Sequence, residues 1–219
     1  MSREIEIRPE FSALGPGKGP SPALPRALAA LRSERQRAGL PEPQSVAEYG
    51  CGLLRNVPAL DFPILHAIDT EFQLSRLHRF GEFKGSLAEY AKSKFPHRDI
   101  RVIKAEQLSV RKIDAVFCIN VLDVVPPLTR TKIVRHMAEL LRDDSQLVLI
   151  VPRNDSRTLK LCASAEPFAD GFVFRNHGVH TFYRNWQSED LKALLRRAGL
   201  SVLKDASIYR HAVLIAART

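Results

Sequence analysis

The sequence predicts an α/β sandwich, with a mostly parallel sheet covered by helices on both faces and ending in an antiparallel hairpin. Three observations predict it. From residue 45 to residue 152, short apolar runs alternate with segments of helical periodicity, the order that builds a parallel sheet through right-handed crossovers. The run at 114–120, Asp-Ala-Val-Phe-Cys-Ile-Asn, is apolar throughout between polar ends, as suits a strand covered on both faces. The last two runs, 200–204 and 209–217, are joined through Asp205-Ala206-Ser207 with no room for a crossover helix, so they read as an antiparallel hairpin.

The elements follow in order. Residues 11–25 carry Gly15, Gly17 and Gly19 among Pro16, Pro20, Pro22 and Pro25, a density that favours loop. Residues 27–38 read as a helix with Leu28 and Leu31 inward and arginines outward, capped by Gly39 and stopped by Pro41 and Pro43. A strand at 45–49 ends at a glycine turn. A brief helix interrupted by Pro58 is expected at 54–60, then a strand at 63–68 that ends at Asp69. Helix is expected at 71–80 and for a turn or two at 86–93, and strand at 100–104. Residues 129–142 form the clearest helix, with Ile133, Met137, Leu140 and Leu141 on one face and Arg135 and Glu139 on the other. Asp143-Asp144 turns the chain into a strand at 146–151. The final helix starts at Ser188 as N-cap, has Glu189 and Asp190 in its first turn, buries Leu191, Leu194 and Leu195, and ends at Gly199. The chain therefore divides into an N-terminal extension with a basic helix, 1–44, and a main domain, 45–219. The main domain carries an irregular insertion on its substrate side at 156–185.

Composition narrows the function classes. No run of about 18 apolar residues occurs, so no membrane-spanning helix is expected, and the first ten residues lack the apolar core of a signal peptide. Cys51, Cys118 and Cys162 are scattered and odd in number. They fit a reducing, cytoplasmic setting, without a disulfide scaffold and without the spacing of a zinc site; no metal is expected. The formal charge of +9 favours anionic partners. Its Lys and Arg residues are spread along the chain with no nucleic-acid motif, so a small-molecule substrate leads and RNA or DNA is the alternative. Nothing in the sequence fixes an oligomeric state.

The chemistry concentrates at Glu48-Tyr49-Gly50-Cys51-Gly52 and at Asp69. Two glycines let backbone approach a ligand closely. An acid after the following strand can accept hydrogen bonds from a ribose. The pair points to a nucleotide-like cofactor. A dinucleotide fits less well, because Gly50-x-Gly52 runs into Leu53, Leu54 and Arg55 without the third glycine that a pyrophosphate site wants.

Over residues 45–217 this order resembles the class I S-adenosylmethionine-dependent methyltransferases. Residues 48–52 look like the family's first motif and Asp69 like the acid after its second strand. Residues 114–125 look like its fourth-strand motif and 140–152 like its fifth, and the hairpin completes its seven-stranded plan. The resemblance implies S-adenosyl-L-methionine as cofactor. It implies that Glu48 orients the methionine amino group, that Gly50 and Gly52 admit close packing, and that Asp69 binds the ribose. Glu106 or its neighbours would meet the adenine, and Asn120 would lie beside the methionine part and the reacting centre. Phe117 and Leu122 are read as core. The sequence departs from the pattern at Leu54, where a third glycine often stands, at Asp123, where histidine, glutamate or asparagine is usual, and at Asp143-Asp144-Ser145.

The expected activity is methyl transfer to oxygen or nitrogen of a small molecule. The alternatives are a nucleic-acid methyltransferase and an inactive binding subunit of the same fold. In the insertion, His177, His180 and Tyr183 are the candidate acceptor-side residues, since a histidine can take a proton from oxygen or nitrogen. Arg175 and Arg184 are candidates to hold an anionic substrate through guanidinium forks.

Overall fold

The structure, a computed structural model, describes residues 6–8, 19–108, 113–153, 160, 162–163, 165–176 and 178–219. The elements are α1 (Leu24–Arg37), β1 (Ser45–Tyr49), β2 (Ile64–Ile68), α2 (Glu71–Ser75), β3 (His78–Phe80), β4 (Phe83–Gly85), α3 (Leu87–Lys94), β5 (Asp99–Ile103), β6 (Ala115–Ile119), α4 (Pro127–Leu140) and β7 (Gln146–Pro152). They continue with β8 (Glu166–Phe168), β9 (Gly171–Asn176), β10 (Val179–Tyr183), α5 (Ser188–Arg197), β11 (Leu200–Asp205) and β12 (His211–Arg218).

The expected sheet is present. Seven strands run in the order β11-β12-β7-β6-β1-β2-β5. Neighbours from β5 to β7 pair parallel, and β12 pairs antiparallel with both β7 and β11. The last strand thus inserts between β7 and its own hairpin partner. Two apolar clusters cover the two faces. One joins Val116, Cys118 and Leu149 to Met137 of α4 and to Leu191 and Leu195 of α5. The other joins Phe117, Val148 and Ile150 to Leu24, Ala27 and Leu31 of α1 and to Leu87 of α3. Covering both faces explains why β6 and most of β7 bury every residue without alternation.

The arginines of α1 are not all outward. Arg35 is buried, donating to the Gln146 side chain at 2.8 Å and to the carbonyls of Pro41 and Asp114 at 2.7 and 3.3 Å, so it fastens the helix to the rim of the sheet.

Four local expectations change. Residues 54–60 make successive turns rather than a helix, since Leu54 is left-handed at φ +58° and Pro58 has no N–H to donate; Arg98 takes the carbonyls of Val57 and Leu60. The helix expected over 71–80 stops at Ser75, where Arg76 turns extended and His78 Nε2 meets the Gln73 carbonyl at 2.8 Å. The chain then makes the β3–β4 hairpin around Gly81, whose φ is +63°, and stacks Phe80 on Tyr90 of α3 with centroids 3.7 Å apart. The insertion expected to be irregular contains a three-stranded antiparallel sheet, β10-β9-β8. Ser188 is the first helical residue instead of the cap, and its hydroxyl accepts from Arg153 at 3.0 Å.

Candidate functional site

The sheet register places the chemistry at one edge. Tyr49 lies level with Ile68 on one side and with Cys118 on the other, so β1, β2 and β6 end together. The next residues out are Gly50, Asp69 and the Ile119–Asn120 corner. This is the carboxyl end of the parallel strands, where open α/β sheets bind ligands.

The glycine turn is closed onto β2. Gly50 and Cys51 both donate to the Ile68 carbonyl, at 2.8 and 2.9 Å. Gly52 donates to Asp69 Oδ2 at 2.7 Å, and Thr70 donates to Asp69 Oδ1 at 2.8 Å. The Cys51 thiol bonds the same carboxylate, so Asp69 is the acceptor on which the turn converges at the ligand end of the sheet. Gln73 in α2, which the sequence did not single out, donates to the Gly52 carbonyl at 3.0 Å and ties α2 to the turn.

The two glycines do different things. At Gly50, φ is +76° and a Cβ would lie 2.4 Å from Val121 Cγ2, so glycine lets the turn pack on the loop after β6. At Gly52, φ is +54° and nothing stands within 4 Å of an added Cβ. That side of the turn is the open one. Leu54 adopts φ +58°, the left-handed backbone expected of a third glycine, while its side chain is buried in the core. The strain is local and the Leu54 side chain does not fill the turn's mouth.

Glu48 is fully buried at the end of β1. Its Oε1 accepts from Asn56 at 2.6 Å, while Oε2 has no hydrogen-bond partner. Burial, with a smaller push from the Asp69 charge, raises its carboxyl to about 8 against the opposing Asn56 bond. A buried acid with a spare oxygen beside a glycine turn fits a cationic amino group. Asn56 was not visible as a site residue, since nothing in its spacing from Glu48 marks it.

The remaining expected positions sit around this centre. Glu106 lies exposed in a 3₁₀ turn, Ala105–Gln107, two residues past β5. Asn120 is exposed at the end of β6 with φ +55°, a conformation asparagine tolerates, and its N–H donates to the Ile150 carbonyl at 2.8 Å. Asp123 is buried, its Oδ1 has no partner, and burial pushes its carboxyl up to about 7.

His180 in β10 lines a cavity of about 360 Å³ together with Glu6, Arg8, Phe72, Gly178 and Val179. The segment around Ile7 bridges in parallel to His180, and Arg8 N–H donates to its carbonyl at 2.8 Å. The far end of β10 reaches the β6 loop, where Arg184 N–H donates to the Asp123 carbonyl at 2.8 Å. Tyr183 is 1% exposed and does not line the cavity, so the structure separates it from His180. His177 lies outside the described residues.

Arg175 is exposed and directly opposite His180 in the β9–β10 register. Arg184 is instead spoken for. It pairs with Asp170 and with Asp190, the latter at 2.9 Å, and lies over the Trp186 ring at 4.0 Å. The buried Arg130 of α4 holds the same Asp170 with both terminal nitrogens, at 2.7 and 3.3 Å, and lies over Trp186 at 4.7 Å. These arginines clamp the small sheet to α4 and α5. Among the described residues, no group of three His, Cys, Asp or Glu is placed to hold a metal ion.

Comparison with known proteins agrees with this fold. The model of a family described as a methyltransferase domain matches residues 24–205, beginning at α1. Comparison with curated proteins gives no match. Among solved structures, the chain is similar to the 1,6-didemethyltoxoflavin-N1-methyltransferase of Burkholderia thailandensis, at 19% identity and TM-score 0.57, over 90% of this chain and 79% of that one. It is also similar to the magnesium protoporphyrin IX methyltransferase of Synechocystis, at 19% identity and TM-score 0.56, over 93% and 90%. A mitomycin 7-O-methyltransferase matches at 15% identity and TM-score 0.61, over 90% of this chain and 54% of that one. At these identities the likeness is one of fold.

Proposed function

This chain belongs to the class I S-adenosylmethionine-dependent methyltransferase family, and from that premise we propose that it methylates oxygen or nitrogen of a small molecule. The observation that carries the reading is the clasp of Gly52 N–H on Asp69 beside the buried, half-paired Glu48. S-adenosyl-L-methionine supplies a methyl group on positively charged sulfur. The Glu48 carboxylate would hold its ammonium, Asp69 would accept from its ribose hydroxyls, and the open side of Gly52 would leave room for its chain. Glu106 would meet the adenine, and Asn120 would lie beside the methionine part and the reacting centre.

On the acceptor side, His180 takes the proton of the hydroxyl or amine, since among the described residues it is the histidine that lines the cavity. A space of about 360 Å³ between three elements matches the size of small-molecule sites. The neighbours' own acceptors, a toxoflavin precursor at N1 and mitomycin at the 7-oxygen, are small molecules as well. No helix among the described residues is long and apolar enough to cross a membrane.

The test is formation of S-adenosylhomocysteine with a panel of hydroxylated and amino small molecules and, in parallel, with RNA and DNA. Turnover confined to small molecules is expected. Turnover on nucleic acid alone would replace the reading with the polymer-modifying one, and binding of the cofactor with no turnover on any acceptor would favour a binding subunit.

A further inference from the structure

We propose that the cavity walled by α4, α5 and the segments flanking the small sheet is a second ligand site, which holds a small aliphatic carboxylate by its acid group. The site is separate from the one assigned to methyl transfer: none of Glu48, Gly50, Gly52, Asp69 or His180 lines it.

Size and placement come first. The cavity measures about 210 Å³. That is below the roughly 300–1,000 Å³ of sites for drug-sized ligands, so its occupant is a compact molecule. α4 contributes Pro127 and Arg130. α5 contributes Asp190, Leu194 and Arg197, which share one helix face at spacings of four and three. Asp170, just before β9, and Arg184 and Trp186, after β10, complete the wall. Every lining residue has described residues on both sides of it in the chain.

Charge selects the ligand. Arg130, Arg184 and Arg197 stand against Asp170 and Asp190, which leaves one positive charge. Arg130 is matched by Asp170 at 2.7 Å and Arg184 by Asp190 at 2.9 Å. Arg197 is exposed in the last turn of α5, and among the described residues no acid pairs with it. Its guanidinium is the fork left for a monoanion. A dianion would meet the repulsion of the two aspartates.

The second donor is the indole of Trp186. The guanidiniums of Arg130 and Arg184 lie over its ring at 4.7 and 4.0 Å, so the ring meets a ligand with its polar edge. Trp186 is 1% exposed and its Nε1–H has no acceptor, an uncommon state for a buried donor. One carboxylate oxygen supplies that acceptor while the other meets Arg197. The alkyl part lies along Pro127 and Leu194.

The experiment titrates the full chain with butyrate at constant ionic strength and follows, by NMR, the indole N–H signal of the chain's single tryptophan. A saturable shift is expected. Butyramide, the neutral isostere, and sulfate, a dianion with no apolar part, should each bind at least about ten times more weakly. Arg197→Gln should weaken butyrate about tenfold. Arg196→Gln, at an exposed neighbour outside the cavity, should leave it unchanged. Saturating S-adenosylhomocysteine should not displace butyrate, and the titrations without it test the site independently of the methyltransferase reading. No saturable shift, equal binding of butyramide or sulfate, indifference to Arg197→Gln, or displacement by S-adenosylhomocysteine would overturn the assignment.

Discussion

The backbone N–H of Gly52 donates to Asp69 Oδ2 at 2.7 Å, so one carboxylate both closes the glycine turn and borders the ligand side of the sheet. The same group fastens Thr70, the N-cap of α2, through its other oxygen. Asp69→Ala should therefore cost fold stability as well as ligand affinity. Loss of a hydrogen bond to a charged acceptor costs about 1.5–3 kcal/mol, and Asp69→Asn should recover part of it. Thermal denaturation of the two variants without ligand checks this, and equal melting temperatures for wild type and Asp69→Ala would refute the clasp.

The two turn glycines should separate stability from binding. Gly50→Ala forces a Cβ to 2.4 Å from Val121 Cγ2 at φ +76°, and should destabilise the fold; Val121→Ala should relieve the clash but not the left-handed strain. Gly52→Ala meets no atom within 4 Å and carries only left-handed strain, about 1–2 kcal/mol. Gly52→Ala should stay folded and lose affinity for S-adenosylhomocysteine. Urea unfolding and calorimetry on the same samples distinguish the two effects.

Glu48 should give the fold a pH dependence of unusual sign for a carboxylate. Its carboxyl lies at about 8 in the folded chain, against an ordinary 4.5, because burial disfavours the charged form. The folded state therefore holds the proton more tightly than the unfolded state. The stabilisation is complete below about pH 4.5 and is lost as the pH rises through about 8. Asp123, raised to about 7, acts in the same direction over a lower window. Wild type should lose stability relative to Glu48→Gln between pH 5 and 9. Parallel urea curves across that range, with no change in the difference, would show that Glu48 is ionised throughout.

Much of this was legible in the sequence, for physical reasons that also mark where legibility ended. The strands at 114–120 and 146–151 were plain because burial on both faces leaves near-continuous apolar runs, and the hairpin was plain because its connection is too short to cross over. The region at 71–80 was misjudged because its helical pattern is overridden by tertiary contacts, above all Phe80 on Tyr90 and His78 on the Gln73 carbonyl. Glu48 and Asp69 were found by spacing, but the division of labour between Gly50 and Gly52 depends on Val121, some 70 residues away, which no local pattern reveals. The cavity was half visible. His180 belonged to a polar and aromatic cluster, whereas Arg8 and Phe72 reach it from segments far apart in the chain.

The clamp on the small sheet gives a further expectation. Arg130 is buried and holds Asp170 through both terminal nitrogens, with Trp186 beneath it. Removing one member of such a pair leaves a buried charge unmatched, a change that costs about 3–5 kcal/mol when both partners are buried. Asp170 is partly exposed, at 35%, so Asp170→Ala should fall below that range. It should lower the melting temperature by several degrees and speed proteolysis within 165–183. Cleavage unchanged from wild type would show that the clamp does not hold the small sheet.

The most direct measurement of the cofactor site is calorimetric titration of the purified chain with S-adenosylmethionine and S-adenosylhomocysteine, run in two buffers of different ionisation enthalpy. Saturable binding at one site per chain is expected, weakened at least tenfold by Asp69→Ala. Proton release at pH 7 is also expected, as the ligand's ammonium ionises Glu48, and it should disappear in Glu48→Gln. A folded protein that binds neither ligand, or binds both with Asp69→Ala as tightly as with wild type, would contradict the assignment.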